Sequence, residues 1–547
     1  MKRPRGSGPR ATLLASGPRA ALLASGTALA LLLAACAGGS STTSSVPRIA
    51  NATFTYDTYT QVVVDGMDPA TEYSNAIIAM SNMYETLTRY NQATHQVDPL
   101  LATSWTHSAN GLTWTFQLRH GVYFHTGRLM TAAAAKAAIE RTIKLNGGAA
   151  YVWGAVKSID TPGTYTLVFH LRYPSPLDLE ASADYSAYIY DTQAAGTASL
   201  TKWLNAPNDA GTGPYQLQTW NKGQEFELIL KKFGKYWGGW NGTHFSRLVF
   251  RVVTADTTAA QLVESGQVSF VEQINPALWH SLSGKSGVSL VSSPSWVNLL
   301  AQINSKALSL PVRQAISYDI NYAGIAAALQ GAASPASGLV PPGLFGHFGN
   351  LPNYSYNPAK AAALLHQAGY GPKGKPLSLT LTYTQGDTNE QVVASLLKSS
   401  LAKLNVNLTV QSLAWPTQWG RAKSANATQH QDIFVEQWWP DYADPFSWFT
   451  NLLATEKQPY FNLSYYSSPA LDSQINRVEA LVATNRSAGA QLYRAMQVET
   501  LRQAPIAVLY DLNYQYVLAS GYSGLTVNPA YPNVVFVYNL HPLAPVD

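Results

Sequence analysis

The chain has 547 residues, with 36 Lys and Arg, 31 Asp and Glu, and a single Cys, a length that fits two large lobes or roughly three or four ordinary domains. Five of the 36 cations lie in the first 19 residues, so the rest of the chain carries 31 basic and 31 acidic side chains and is formally neutral. This balance argues against a nucleic-acid partner, which requires a clustered cationic surface, and one Cys excludes a disulfide framework.

The first 35 residues have the parts of a lipoprotein signal peptide. Residues 1–19 are basic, residues 20–35 are largely apolar, and the run ends in Leu-Ala-Ala before Cys36. These are the parts of a secretory signal, and the apolar run is short for a membrane-spanning helix. The ending resembles the bacterial lipobox, so we predict that Cys36 is lipidated and opens a flexible Gly- and Ser-rich tether over 36–50. An ordinary signal peptide with an incidental Cys is the alternative.

Helix ends can be located from capping residues. Thr131 precedes the amphipathic run 132–145, and Asn357-Pro358 precedes another that Gly369 closes; Thr and Asn are favoured N-caps and Gly is a favoured helix stop. The pattern also predicts two short consecutive helices within 313–329, and amphipathic helices over 389–404 and 488–503.

Strands alternate with these helices. Periodic β-branched and aromatic residues predict strands at 113–118, 164–171, 226–230, 248–253, 377–383, 406–410 and 433–437. Alternation of the two element types predicts a mixed α/β protein with more than one sheet.

Catalytic and cofactor motifs are weak. The sequence contains no P-loop, dinucleotide fingerprint or His-Glu-x-x-His. Gly521 to Leu525 lacks the last Gly of a nucleophile elbow, and His120 and His125 do not have the spacing of helical metal ligands. We therefore expect no cofactor, no bound metal and no enzyme activity. Asp441 and Asp444 form a carboxylate pair whose geometry the spacing does not define.

Seven stretches, in order, resemble the extracytoplasmic solute-binding proteins of ABC importers, specifically family 5, the peptide/nickel family. They are 82–87 with 101–105, then GLTWTFQLRHGVYFHTG at 111–127, GTGPY at 211–215, KYWGG at 235–239, VRQAI with YDIN at 312–321, PPG with YNPAK at 341–360, and WWPDYADP at 438–445. Together they span nearly the whole chain after the leader.

The resemblance implies a two-lobed periplasmic-binding-protein fold of type II, with an extra domain, mixed sheets flanked by helices, and a two-strand hinge. Lobe I is expected from segments 48–85, 205–300 and 515–547. The extra domain is expected at 86–204 and lobe III at 301–514. Ligand would bind between lobes I and III, and closure would be a ligand-biased population shift.

The resemblance also implies ligand-binding residues. Asp441, in the Asp-Tyr pair with Tyr442, matches the residue that takes the α-ammonium of a peptide in peptide-binding relatives; a turn-capping Asp is the alternative. Trp438 matches a Trp that lies beside the peptide. Trp439 stands where the family has a small residue, and this bulk would shorten the pocket or present a face to a sugar.

Three further residues are weaker candidates for ligand contact. Trp296 and Asn298 precede the first expected hinge crossing. Asp68, followed by Pro69, matches an early Asp-Pro of the family near the cleft entrance, although Asp-Pro is equally an ordinary turn.

The leading hypothesis is a monomeric, lipid-anchored receptor on the outer face of a bacterial cell membrane, which delivers short peptides to an ABC permease and ATPase complex. An oligosaccharide, and then nickel or a metal chelate, are the alternative ligands within the same class. Two hypotheses belong to other classes: an extracellular hydrolase on the same fold, and a sensory or chaperone-like receptor with no permease.

Overall fold

The computed structural model describes residues 53–58, 64, 66–73, 75–223, 226–531 and 533–543. The predicted signal peptide, Cys36 with its predicted lipid, and the predicted tether lie outside the described residues. The described helices are α1 Ile77–Met83, α2 Ala132–Leu145, α3 Leu177–Glu180, α4 Leu200–Leu204, α5 Asp256–Glu264, α6 Pro276–Ser281, α7 Leu310–Asp319, α8 Tyr322–Ala328, α9 Pro358–Gln367, α10 Thr388–Ala402, α11 Trp415–Ala422, α12 Phe446–Leu452, α13 Pro469–Thr484 and α14 Arg486–Gln503.

The strands show the predicted alternation with helices and include several short pairs that the pattern did not indicate. They are β1 Thr53–Thr58, β2 Thr88–Asn91, β3 Gln96–Pro99, β4 Ala102–His107, β5 Thr113–Leu118, β6 Val156–Gly163, β7 Thr166–Leu171, β8 Tyr215–Asn221, β9 Glu227–Lys232, β10 Arg247–Val252, β11 Phe270–Val271, β12 Val288–Ile303, β13 Ala333–Ser334, β14 Leu377–Thr384, β15 Val406–Leu413, β16 Ile433–Trp438, β17 Ile506–Ala519, β18 Tyr522–Ser523 and β19 His541–Pro542.

The predicted helix caps are confirmed. The Thr131 hydroxyl accepts a hydrogen bond from the Ala134 N–H at the start of α2, and the Asn357 side chain accepts one from the Lys360 N–H at the start of α9. Each satisfies an amide that has no partner within its helix. Gly369 has a φ of 86°, the left-handed conformation that ends a helix.

Two long strands connect the halves of the main sheet. Its order is β15-β14-β16-β12-β17-β11-β1-β10-β9-β8, with β13 also paired to β17. The antiparallel strands β12 and β17 pair along most of their length, and their register shifts between Pro294 and Asn298. Such an irregularity bends a strand, and it lies between the part of β12 that pairs only with β17 and the part, from Asn298 to Ile303, that also pairs with β16.

A separate antiparallel sheet, β4-β5-β7-β6, is formed by residues 102–171. Helix α2 packs on it with the face that contains Ala135, Ala138 and Ile139, all fully buried. Removing these apolar side chains from water stabilises the helix, which alone would be marginal in solution.

The described residues contain neither a membrane-spanning helix nor a metal-binding cluster. None of the described helices is both long and apolar enough to cross a bilayer. Within the same part of the chain, no group of three or more His, Cys, Asp or Glu residues is arranged to hold a metal ion.

Candidate functional site

A cavity lies at the carboxyl ends of three adjacent strands. Its volume, which includes open solvent at its mouth, is about 910 Å³. Strand β14 runs parallel to both β15 and β16, so their carboxyl ends reach the same edge of the sheet. Thr384 ends β14, Trp415 follows β15, and Trp438 ends β16; all three line the cavity. This edge is where α/β sheets commonly bind ligands.

The rest of the wall comes from segments far apart in sequence. Tyr73 and Asn75 precede α1, Ala149 follows α2, and Asn451 lies in α12. The full lining is Tyr73, Asn75, Ala149, Thr384, Asp387, Glu390, Trp415, Glu436, Gln437, Trp438, Trp439, Asp441, Asn451 and Phe461. The cavity therefore exists only when the regions around 73–75, 149 and 384–461 are folded against one another.

Asp441 lies on the cavity wall and is half-buried. The Tyr151 hydroxyl donates a hydrogen bond to its Oδ2. Burial raises the pKa of Asp441 to about 6, and the bond from Tyr151 acts in the opposite direction. Among the described residues, no Lys, Arg or His forms an ion pair with this carboxylate.

Trp438 and Trp439 both line the cavity and are half-buried. The Trp438 ring packs edge-on against Phe461, with centroids 5.3 Å apart, and its Nε1 donates to Ser447 Oγ at 3.3 Å. Phe461 in turn meets Tyr73 edge-on at 5.1 Å. Rings held in this way present a rigid aromatic wall with little conformational entropy to lose when a ligand binds.

Glu436 is a buried acid in the same wall, with 2% of its surface exposed. Its Oε1 accepts a hydrogen bond from Gln302 Nε2. Burial raises the pKa of Glu436 to about 8, since the charged form loses its hydration, and the bond from Gln302 lowers it only in part.

Two more acids lie where β14 passes into α10. Asp387 caps α10, because its Oδ1 accepts from the backbone N–H groups of Asn389 and Glu390. Glu390 Oε2 accepts from the Thr384 N–H at 2.7 Å. Burial is the largest cause that raises the pKa of each acid.

Asn298 and Trp296 lie away from the cavity lining. Asn298 lies on β12, the strand between β16 and β17, and is fully buried. Its Nδ2 donates hydrogen bonds to Asp511 and to the Leu339 carbonyl, and its Oδ1 accepts one from Trp448. The Trp296 ring is 5% exposed. These contacts give Asn298 a structural role in joining neighbouring strands, and its ligand contact stays a prediction.

Tyr442 and Asp68 also lie outside the lining. Tyr442, which follows Asp441 in sequence, is buried, with 2% of its surface exposed. Asp68 is 1% exposed and forms a two-bond ion pair with Arg141. Of the seven predicted ligand residues, the structure therefore brings Asp441, Trp438 and Trp439 together in one cavity.

Sequence reasoning missed Glu436, Asp387, Glu390 and Tyr73. For Glu436 a signal existed: an acid within the otherwise mainly apolar strand IFVEQW is costly to bury and therefore indicates a function or a partner. Asp387 was readable as an N-cap, two residues before the predicted start of α10 at 389. Tyr73 carried no local signal, since most of the residues that line the cavity with it, from Thr384 to Phe461, are more than 300 residues away in sequence.

Solved structures share this fold. The Helicobacter pylori ABC transporter-associated periplasmic binding protein DppA, in complex with the peptide STSA, superposes with a TM-score of 0.80 at 23% identity, covering 91% of this chain and 99% of that one. The likeness confirms the predicted fold class, a periplasmic-binding-protein-like α/β architecture.

The family follows from the sequence comparison. Residues 96–460 match the model of the bacterial extracellular solute-binding proteins, family 5, and the chain belongs to that family. The probable D,D-dipeptide-binding periplasmic protein DdpA of Escherichia coli is 27% identical over 475 residues, 85% of this chain and 89% of that protein. The glutathione-binding protein GsiB of Salmonella typhimurium is 28% identical over 423 residues, 75% of this chain and 80% of that one.

Proposed function

We propose that the protein is the extracytoplasmic receptor of an ABC importer and captures short peptides in the cavity at the ends of β14, β15 and β16. The observation that carries the proposal is the Asp441 carboxylate, half-buried on the cavity wall with no cationic partner among the described residues. A free peptide N-terminus supplies that cation, and a charge-assisted hydrogen bond then offsets the burial of the acid.

Relatives support a peptide as the ligand. The names of DdpA and GsiB assign them a D,D-dipeptide and glutathione, and the H. pylori neighbour holds a tetrapeptide. In the proposed complex, Trp438 and Trp439 pack along the peptide while Asp441 binds its amino end. The receptor then recognises the terminus and length of a peptide more than its sequence.

The domain arrangement and the anchor are part of the proposal. Lobe I (48–85, 205–300 and 515–547) and lobe III (301–514) move about β12 and β17, which cross between them, while 86–204 forms the extra domain. The bend of β12 between Pro294 and Asn298 supports a hinge there. Cys36 carries the lipid, and the loaded monomer docks on an ABC permease.

A thermal-shift titration of the full chain in detergent tests the function. Di- to pentapeptides, their N-acetylated forms and a panel of oligosaccharides are compared on the unaltered protein, Asp441→Asn and the matched control Asp160→Asn, whose acid is exposed on β6. A ligand at 100 times its Kd stabilises by about 2.7 kcal/mol. We expect stabilisation by free peptides that is lost on acetylation or with Asp441→Asn, and retained with Asp160→Asn.

Other outcomes identify the competing functions. Stabilisation by sugars alone would replace the peptide with an oligosaccharide stacked on Trp438 and Trp439. Ni²⁺ and its histidine complex are added to the same titration, and stabilisation by these alone would point to a metal chelate. Recovery of a cleaved peptide from the titrated sample would indicate a hydrolase, since a receptor returns its ligand unchanged.

A further inference from the structure

The described residues of the cavity wall include acids and no basic group. Of the 14 described residues that line it, four carry carboxyl groups, and none is Lys, Arg or His. A peptide with uncharged side chains has one positive and one negative terminus, and its carboxylate would meet no complementary charge on this wall. A ligand cation favours the charged form of a carboxyl group beside it, whereas a ligand anion would find no cation among the described lining residues, so the wall favours a ligand with excess positive charge.

Two of the four acids are occupied by donors of the protein itself. Asp387 accepts from two backbone N–H groups at the start of α10 and, through Oδ2, from Gln437 Nε2 at 2.9 Å. Glu390 accepts from the Thr384 N–H through Oε2. These bonds explain the two acids as parts of the β14–α10 turn.

Glu436 is different. It is 98% buried, as the 2% exposure shows, and it lines the cavity. Its Oε1 is bonded to Gln302, whereas its other carboxyl oxygen has no hydrogen-bond partner among the described residues. That oxygen is not one of the enclosed polar atoms that lack a partner, so it is open to the cavity. A ligand cation beside it would pair with the carboxyl group and favour its charged form, against the effect of burial on its pKa. Glu436 is therefore a second open acceptor in the same cavity as Asp441.

Aromatic rings surround these acids. Tyr73, Trp415, Trp438, Trp439 and Phe461 together make up five of the 14 lining residues. Tyr73 lies close enough to Glu436 for that acid to contribute to its raised pKa, after the larger effects of burial, Tyr460 and Glu72. Aromatic faces attract ammonium and guanidinium groups, especially in desolvated sites. Acids and aromatic rings in one pocket are suited to recognise an organic cation.

We propose that the cavity selects ligands with two cationic groups, one at Asp441 and the other at Glu436. This inference rests on the proposed function, in which a peptide N-terminus occupies Asp441; the second cation is then a Lys or Arg side chain of that peptide. A free diamine carries the same pair of charges without the peptide backbone, so the test includes one.

Isothermal titration of the full chain in detergent tests the second cation. The peptides are Lys-Ala-Ala, Ala-Lys-Ala and Ala-Ala-Lys, each compared with the peptide in which norleucine replaces Lys; norleucine keeps the alkyl chain and loses the ammonium. 1,5-Diaminopentane is the diamine. Each ligand is measured on the unaltered protein, Glu436→Gln and Glu140→Gln, a control at an exposed acid of α2.

We expect at least one Lys peptide to bind about tenfold or more tightly than its norleucine partner, the gain of a hydrogen bond to a charged group. Glu436→Gln should remove most of that ratio, and Glu140→Gln should keep it. Gln has the shape of Glu and can still pair with Gln302; melting curves of each variant check the fold. The Lys-to-norleucine ratio on the unaltered protein decides the matter even if the variant fails to fold.

The outcomes separate the two proposals. Equal binding of Lys and norleucine peptides would overturn the second-cation site and leave the peptide receptor standing. Binding of the diamine alone, abolished by Glu436→Gln, would support the two-cation site and overturn the peptide. Failure of all these ligands to bind would overturn both.

Discussion

The Tyr151 hydroxyl donates a hydrogen bond to the Asp441 carboxylate, across 290 residues of sequence. The bond ties the short 3-10 turn Ala150–Trp153 to the loop after β16. The Tyr151 ring also packs against Phe446, with centroids 5.9 Å apart, so its hydroxyl is held in place. Tyr151 thus positions the carboxylate that we assign to the ligand cation, and it does so from within the proposed extra domain.

Tyr151→Phe should weaken ligand binding indirectly, because the Tyr151 hydroxyl bonds to Asp441 and is not assigned a contact with the ligand. The carboxylate loses a donor that lowers its pKa, so the pKa of Asp441 should rise above about 6. At pH 7 the affinity for free peptides should fall by roughly five- to tenfold, the contribution of one hydrogen bond to a charged group, and part of the loss should be recovered at pH 8. Titration calorimetry at the two pH values is the measurement; equal losses at both would argue against this positioning role.

Trp439→Ala should lower affinity more than stability. Trp439 lines the cavity and is half-buried, so part of its surface is still exposed and can be buried by a bound ligand. We expect a loss of about 1–2 kcal/mol in binding free energy, as for other aromatic contacts. Trp105→Ala, at a half-buried Trp on β4 outside the lining, is the matched control. Unchanged affinity in Trp439→Ala would remove this ring from the site.

Thermal stability should fall as pH rises from 5 to 8. Burial raises the pKa of Asp184 and Glu436 to about 8 and that of Asp511 to about 7, whereas unfolded carboxyls titrate near 4. Between those values the folded protein holds more protons than the unfolded chain, so the free energy of unfolding decreases with rising pH. Each pKa unit above the unfolded value corresponds to about 1.4 kcal/mol.

Calorimetric Tm values at pH 5, 6, 7 and 8 test this dependence. Glu436→Gln removes one of the contributing groups and should flatten the decline, while Glu140→Gln, at an exposed acid, should leave its slope unchanged. A Tm that climbs between pH 5 and pH 8 is the contrary result.

Asn298→Ala should destabilise the fold and leave affinity unchanged. The change removes a side chain bonded to Asp511, Trp448 and the Leu339 carbonyl, and it leaves buried groups without partners, at a cost of about 2–3 kcal/mol. Urea unfolding and peptide titration at 25 °C measure the two effects separately. A clear loss of affinity in the folded variant would restore Asn298 to the ligand site.

Asp68→Asn should have the largest effect on stability. Arg141 donates two hydrogen bonds to Asp68, whose side chain is fully buried. Removing one member of a buried ion pair leaves the other charge uncompensated, which costs about 3–5 kcal/mol. The double variant Asp68→Asn with Arg141→Met should recover part of the lost stability in the same unfolding assay. If it does not, the destabilisation comes from other contacts of Asp68, such as the hydrogen bond that it accepts from the Ala70 N–H.

Local patterns in the sequence determined many of the elements. Thr131 and Asn357 identified helix starts because capping depends on the few residues that follow. Alternating apolar residues identified β5 and β16 within one residue, since side chains of a strand alternate between two faces. The motifs in family order indicated the fold class and the family, and Asp441, Trp438 and Trp439 were found because all three lie within one motif.

Only the tertiary structure decided which residues share the cavity. Tyr73, Ala149 and Glu436 meet because the sheet orders β15-β14-β16 side by side and distant loops pack over their ends. The same packing removes Asn298 and Asp68 from the lining by giving them buried partners far along the chain. Capping and alternation act over a few residues, whereas these contacts depend on the chain's long-range path, so no local pattern specifies them.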